Sequence, residues 1–69
     1  MSRLENLGKN IKFYRKDKKL SQNALAEMVD LSREHLACIE TGKEYISLRK
    51  LFLIADVLDV PVKNFIDFD

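Results

Sequence analysis

Two short amphipathic segments separated by three residues constrain the fold of this 69-residue chain more than any other feature. The first spans Gln22–Val29 and the second runs from Arg33 to about Thr41, each with apolar residues at spacings of three and four. Ser21 and Ser32 stand directly before them, and a serine there can cap a helix because its hydroxyl accepts from a free backbone amide. The pattern therefore predicts two helices joined by Asp30–Ser32.

The apolar positions of the two segments have distinct packing roles. Ala26 must be small, because the two helices approach closely there at about a right angle. Leu31 is expected to insert its side chain into the core and so to hold the turn in place. Four larger residues form the wedge that sets the angle: Leu25, Val29, Leu36 and Ile39. Gly42 follows the second segment, where a left-handed residue is expected to end a helix.

Three further helices are predicted around this pair. The first runs from about Arg3 to Lys18, the fourth from Leu48 to about Leu58 behind a Ser47 cap, and a short fifth starts near Pro61. Their apolar stripes comprise Leu4, Leu7, Ile11 and Tyr14; Leu48, Leu51, Ile54, Ala55 and Leu58; and Val62, Phe65 and Ile66. The sequence therefore predicts an all-α fold, a compact five-helix domain covering residues 1–69.

Composition excludes several classes of protein. One cysteine, Cys38, and one histidine, His35, can form neither an intrachain disulfide nor a metal site, so no metal or other cofactor is expected. No apolar run approaches the ~20 residues of a membrane span, and the N-terminus has no signal-peptide pattern. No catalytic set of Ser, His and Asp and no glycine-rich phosphate loop is visible, which argues against an enzyme. A cytoplasmic location is expected, with no membrane partner and no small-molecule ligand.

Charge is distributed unevenly, although the formal net charge is only +1. Residues 1–19 hold seven lysines and arginines against Glu5 and Asp17, whereas residues 56–69 hold four aspartates against Lys63. A basic patch on one face can attract phosphates while the molecule stays nearly neutral. A solvated helix face without a partner would show the same pattern.

The segment Leu20–Lys43, LSQNALAEMVDLSREHLACIETGK, resembles the lambda-repressor-like, or Xre, helix-turn-helix family. Leu7–Arg15, Ser47–Leu58 and Val62–Ile66 are similar to the first, fourth and fifth helices of that family. The turn position that is usually glycine with positive φ is here Asp30, which tolerates that conformation better than most residues. Where the family's loop is rich in arginine, this chain has Glu44 and Tyr45.

The resemblance implies that the second helix of the motif, residues 33–41, lies in the major groove of DNA. The residues then placed at the base edges are Arg33, Glu34, His35 and Cys38. Arg33 could contact guanine O6 and N7 with both arms of its guanidinium, and Glu34 could accept from cytosine or simply favour the helix N-terminus. For His35 an exposed position without a ligand is the alternative, and for Cys38 a small half-buried side chain is preferred to a redox sensor.

Other contacts follow from the same resemblance. Phosphate contacts that position the protein without reading sequence are expected from Ser21, Gln22, Asn23 and Lys43. Arg15 and Glu40 match a family pair that ties the first helix to the recognition helix, the alternative being two solvated charges.

The sequence thus predicts a sequence-specific regulator of transcription whose partner is a double-stranded DNA operator, bound as a homodimer on a two-fold symmetric site. The expected dimer surface consists of Phe52, Val57, Phe65, Ile66 and Phe68, although these residues could instead close a small core. The alternative function is a protein-interaction module, an antitoxin or an antagonist of another regulator, that uses the apolar C-terminal helices.

Overall fold

The computed structural model describes residues 2–67 and consists of five α-helices, with no strand in that range. The helices are α1 (Arg3–Asp17), α2 (Gln22–Met28), α3 (Arg33–Glu40), α4 (Leu48–Leu58) and α5 (Lys63–Ile66). The predicted all-α fold with five helices is confirmed. The first three helices each end about one residue earlier than expected, since Lys18, Val29 and Thr41 are their C-caps.

A serine begins each of the first four helices. The hydroxyls of Ser21, Ser32 and Ser47 accept from the amide three residues on at 3.0–3.1 Å, which confirms the three predicted caps. Ser2 caps α1 as well, and Glu5 completes a capping box by accepting from the Ser2 amide at 2.9 Å. This backbone hydrogen bond, followed by one from the Ser2 hydroxyl, lowers the pKa of Glu5. This box was not predicted from the sequence, although the Ser-x-x-Glu spacing is its usual signal.

The same four helices also end alike. A residue with positive φ follows or caps each of them: Lys19 (60°), Asp30 (57°), Gly42 (77°) and Asp59 (56°). The amide of the next residue then donates to the carbonyl five positions back, at 2.8–3.2 Å. This is the hydrogen bond of the Schellman motif, which satisfies carbonyls that the helix leaves free. The positive φ expected at Asp30 and at Gly42 is confirmed, whereas Lys19 and Asp59 carried no such expectation.

The core lies where all five helices meet. α1 packs on α3 and α5, α2 packs on α3, and α4 covers α1 and α2. The buried apolar residues are Ile11, Leu25, Ala26, Val29, Leu36, Ile39, Leu51, Ile54, Ala55, Leu58 and Phe65. The small Ala26 and the four wedge residues of the α2–α3 pair are all among them. Leu48 is an exception to the expected α4 stripe: 63% of it is exposed, because it opens the helix at the surface.

α5 packs against α1 and covers one side of the core. Phe65 is completely buried, and its ring meets the edge of Tyr14 on α1 at 5.4 Å between centroids. The side-chain amide of Asn10 donates to the Phe65 carbonyl at 2.9 Å, which ties the two helices together. The expectation that Phe65 belongs to a dimer surface is therefore wrong, because the ring fills the interior of its own chain.

Candidate nucleic-acid interface

α3 presents a polar face to solvent and an apolar face to the core. Leu36 and Ile39 are buried, and Arg33 and Glu34 are exposed at the first turn. His35 and Cys38 are half-buried at the flank of the exposed face, as is Ala37. The structure therefore brings the four expected reading residues onto one accessible side of α3. Ala37 was not among the expected reading residues, but it shares that side because helical spacing places it four residues after Arg33.

The residues expected to contact phosphates lie at the start of α2 and just after α3, and the hydrogen bond between Gln22 and Glu40 brings the start of α2 close to the C-terminal end of α3. Ser21 and Asn23 are exposed at the start of α2, and Lys43 is exposed just after α3. Gln22 differs from them, because it is half-buried and its Nε2 donates to Glu40 Oε1 at 3.0 Å. Its side chain is thus held by the protein itself, although the backbone around it stays at the surface.

A buried ion pair fastens α3 to α1. Arg15 Nε and Nη2 donate to the two carboxylate oxygens of Glu40 at 2.7 and 3.0 Å, and the side chains are 6% and 1% exposed. Arg15 Nη1 also donates to the carbonyl of Leu20 at 2.7 Å. With the Gln22 hydrogen bond, this one carboxylate connects α1, α2 and α3. The pairing of Arg15 with Glu40 that the family resemblance implied is present, and solvated charges are excluded.

Close backbone contact supports the same junction. A Cβ at Gly8 would overlap the carbonyl oxygen of Ile39 and lie 2.7 Å from that of Glu40. A Cβ at Gly42 would lie 2.6 Å from Cγ of Glu5. Both glycines therefore allow α1 to cross the C-terminal end of α3 at a distance that no larger residue permits.

α4 braces the turn between α2 and α3. Lys50 Nζ donates to the carbonyls of Val29 and Asp30 at 2.6 and 3.2 Å. A cation at the C-terminal end of a helix is favourable, because the free carbonyls carry partial negative charge. Sequence reasoning missed this contact, since nothing in the pattern brings residues 29 and 50 together.

The first turn of α3 contacts the loop that follows the helix. His35 Nε2 lies 3.2 Å from Glu44 Oε2, and the two side chains are 41% and 53% exposed. Glu44 and the neighbouring Tyr45, which is 83% exposed, belong to the loop between α3 and α4. The loop thus places a carboxylate beside the helix that the resemblance identifies as the reading element.

Apolar side chains are also exposed on α4 and α5, where Phe52 and Leu53 line a groove with Asp30 and Ile66 lines another with Tyr45. Phe52 and Val57 on α4 are 49% and 36% exposed, Leu53 between them is 40% exposed, and Ile66 on α5 is 51% exposed. Phe68, the last member of the expected dimer surface, lies outside the described residues.

A metal site and a membrane-spanning helix are both absent from residues 2–67. No group of three histidine, cysteine or acidic side chains comes together there to hold a metal ion. None of the helices is long and apolar enough to cross a membrane.

The fold and the exposed polar face of α3 define a helix-turn-helix domain of the type found in transcription regulators. The chain belongs to the HTH_3 helix-turn-helix family, whose model matches residues 11–65. It is 43% identical over 56 residues to the immunity repressor protein of Bacillus phage phi105, a match that covers 81% of this chain and 39% of the repressor. The chain therefore spans less than half the length of that curated relative.

Two solved structures resemble the whole fold. The restriction-modification controller protein C.AhdI from Aeromonas hydrophila matches with a TM-score of 0.85 at 29% identity, over 90% of this chain and 94% of the controller. SinR, a master regulator for biofilm formation that was solved in complex with DNA, matches with a TM-score of 0.82 at 35% identity, over 88% of this chain and 98% of SinR.

Proposed function

We propose that the protein regulates transcription by binding a specific double-stranded DNA sequence, with α3 in the major groove. One observation carries this proposal: a buried Arg15–Glu40 pair holds α3 rigidly while its other side offers polar side chains to solvent. A reading element must be positioned accurately, since base-edge hydrogen bonds tolerate little displacement. The chain's membership of a helix-turn-helix family with repressors and controllers among its relatives agrees with this role.

Arg33 is the leading base-reading residue of the proposed complex. It is exposed in the first turn of α3, where its guanidinium can reach guanine O6 and N7. Glu34, His35 and Cys38 extend the reading surface along the helix. Ser21, Asn23 and Lys43 contact phosphates, while Gln22 contributes its backbone amide at the start of α2 and keeps its side chain on Glu40.

The protein acts as a homodimer in this proposal, because one module covers only half of an operator. The dimer surface comprises Phe52, Leu53, Val57 and Ile66. It differs from the set expected from the sequence because Phe65 is buried, Leu53 is exposed, and Phe68 lies outside the described residues. An isologous contact through this surface places two α3 helices on successive turns of the DNA, about 34 Å apart. Function then depends on binding rather than catalysis, and calls for no cofactor.

Selection from random duplex DNA tests the proposed function. The unaltered protein is expected to enrich a two-fold symmetric site, and Arg33→Ala to relax the preference at one base pair in each half-site. The loss amounts to about 1–3 kcal/mol of discrimination per half-site. Arg3→Ala is the matched control, because Arg3 is an exposed arginine in the first turn of α1. Failure of the unaltered protein to enrich any sequence at low salt would refute DNA reading.

A further inference from the structure

The pair formed by His35 and Glu44 requires an explanation beyond stability. Both side chains are about half exposed, and exposed ion pairs contribute only about 0–1 kcal/mol to folding. Glu44 also brings negative charge to the surface that meets DNA in the proposed function, where it repels phosphates. Its placement is therefore unfavourable for simple DNA affinity and contributes little to the fold.

Glu44 restricts what the imidazole of His35 can offer to a base. A carboxylate only accepts hydrogen bonds, so Glu44 Oε2, which lies 3.2 Å from Nε2, favours the neutral tautomer with its hydrogen on Nε2. Nδ1 is then the single ring nitrogen available to a ligand. A histidine without such a partner can present either nitrogen, as a donor or as an acceptor, and so accepts more kinds of base edge.

We propose that Glu44 is a positioning residue for sequence recognition: it engages Nε2 of His35, leaves only Nδ1 for the base, and thereby sharpens the preference at one base pair per half-site. This inference rests on the proposed function, because it assumes that α3 reads DNA. His35 also gives the Glu44 carboxylate a neighbouring hydrogen-bond donor. Without His35, the carboxylate has no such donor and repels the DNA phosphates more strongly.

Glu44→Gln is the informative variant, because a glutamine amide can either accept from Nε2 or donate to it. Both ring tautomers become acceptable, so selection from random DNA is expected to show about threefold to tenfold weaker discrimination at the base pair read by His35. Affinity for unrelated duplex at low salt is expected to rise, because one negative charge is removed. Glu27→Gln, at an exposed position on α2, is the matched control and should change neither property.

A double-mutant cycle tests the charge relation between the two residues. His35→Ala should weaken binding to the selected site, and adding Glu44→Gln should restore most of that affinity without restoring base preference. Additive effects of the two substitutions would contradict the proposal.

The contact itself is measurable without DNA, since His35 is the only histidine and its ring signals need no assignment. Glu44→Gln should shift the imidazole resonances of the free protein, whereas Glu27→Gln should not. Two results would overturn this inference alone. One is that Glu44→Gln leaves the imidazole resonances unshifted. The other is that Glu44→Gln leaves the base preference intact while Arg33→Ala still relaxes the preference at its own base pair. Absence of any selected sequence for the unaltered protein would overturn the proposed function together with it.

Discussion

Glu40 fixes the orientation of α3 relative to α1 and α2. Its carboxylate accepts from Arg15 on α1 and from Gln22 on α2, while the residue itself lies at the C-terminal end of α3. A buried carboxylate without such donors is strongly unfavourable, because burial removes its hydration. These three hydrogen bonds from two residues therefore favour one arrangement of the three helices, and the proposed presentation of Arg33 depends on it.

Removing the Arg15 guanidinium tests how far the stability of the fold depends on its pair with Glu40. Arg15→Met is expected to lower the free energy of unfolding by about 3–5 kcal/mol, because Glu40 then stays buried with Gln22 as its remaining side-chain donor. Urea denaturation followed by circular dichroism measures the loss, and Arg3→Met at an exposed position should cost little. If Arg15→Met does not fold, the double variant Arg15→Met with Glu40→Leu should recover most of the stability. A loss below about 1 kcal/mol in the single variant would mean that the pair is not buried in solution.

Asp30 is strained by its place in the turn. Its φ of 57° is disfavoured for residues with a Cβ, although aspartate tolerates it better than most. Asp30→Gly is expected to raise the free energy of unfolding by about 0.5–1 kcal/mol, since relief of strain exceeds the added chain entropy. Asp30→Ala also removes the carboxylate but keeps the Cβ, so it should be less stable than Asp30→Gly. Equal stabilities in urea titrations would show that the carboxylate, rather than the backbone, governs this position.

At the scale of helices, α1 to α4 share the same kinds of N-terminal and C-terminal caps. Each of α1 to α4 begins with a serine cap and ends with a positive-φ residue whose neighbour closes a Schellman bond. These local signals make the helix ends sharp, so that short connections suffice between consecutive helices. The crossing of α1 over α3 then depends on Gly8 rather than on any helix signal.

Gly8→Ala separates helix propensity from packing. In an exposed helix this change stabilises by about 1 kcal/mol, because glycine is a poor helix former. Here the new methyl group overlaps the backbone carbonyl of Ile39, so we expect a net loss of about 1–3 kcal/mol. Thermal unfolding measures the sign, with Lys12→Ala as an exposed control on the same helix. A more stable Gly8→Ala variant would contradict the close approach of α1 and α3.

At the scale of the whole molecule, polar reading residues and exposed apolar residues occupy separate elements. α3 carries the first set, and α4 with α5 carries the second. A domain of this size buries a small core, so the proposed dimer would add stability to it.

Paired substitution of Phe52→Ser and Val57→Ser tests the proposed dimer. Sedimentation at micromolar concentration should show dimers of the unaltered protein and monomers of the variant, while Leu48→Ser, another exposed α4 position, should remain dimeric. Each tenfold increase in concentration should raise the free energy of unfolding by about 1.4 kcal/mol per dimer. A monomer that binds its operator as a monomer would refute the dimer.

Most of the helical framework is determined by the sequence itself. The serine caps, the apolar spacing and Gly42 act within a few residues, so Gln22 and Arg33 could be predicted as the starts of α2 and α3 without tertiary information. The exposed side of α3 follows from the same periodicity. Resemblance to a family then added the pairing of Arg15 with Glu40, which no local signal contains.

Other contacts between distant residues were decided only by the tertiary structure. The sequence could not show that Phe65 points into the core, that Gln22 bonds to Glu40, or that Glu44 faces His35. Each of these depends on where two separate segments come to lie, and one amphipathic pattern suits both a core and an interface. The helix-turn-helix is therefore determined locally, whereas its reading surface is set by the packing of α1 and the α3–α4 loop around it.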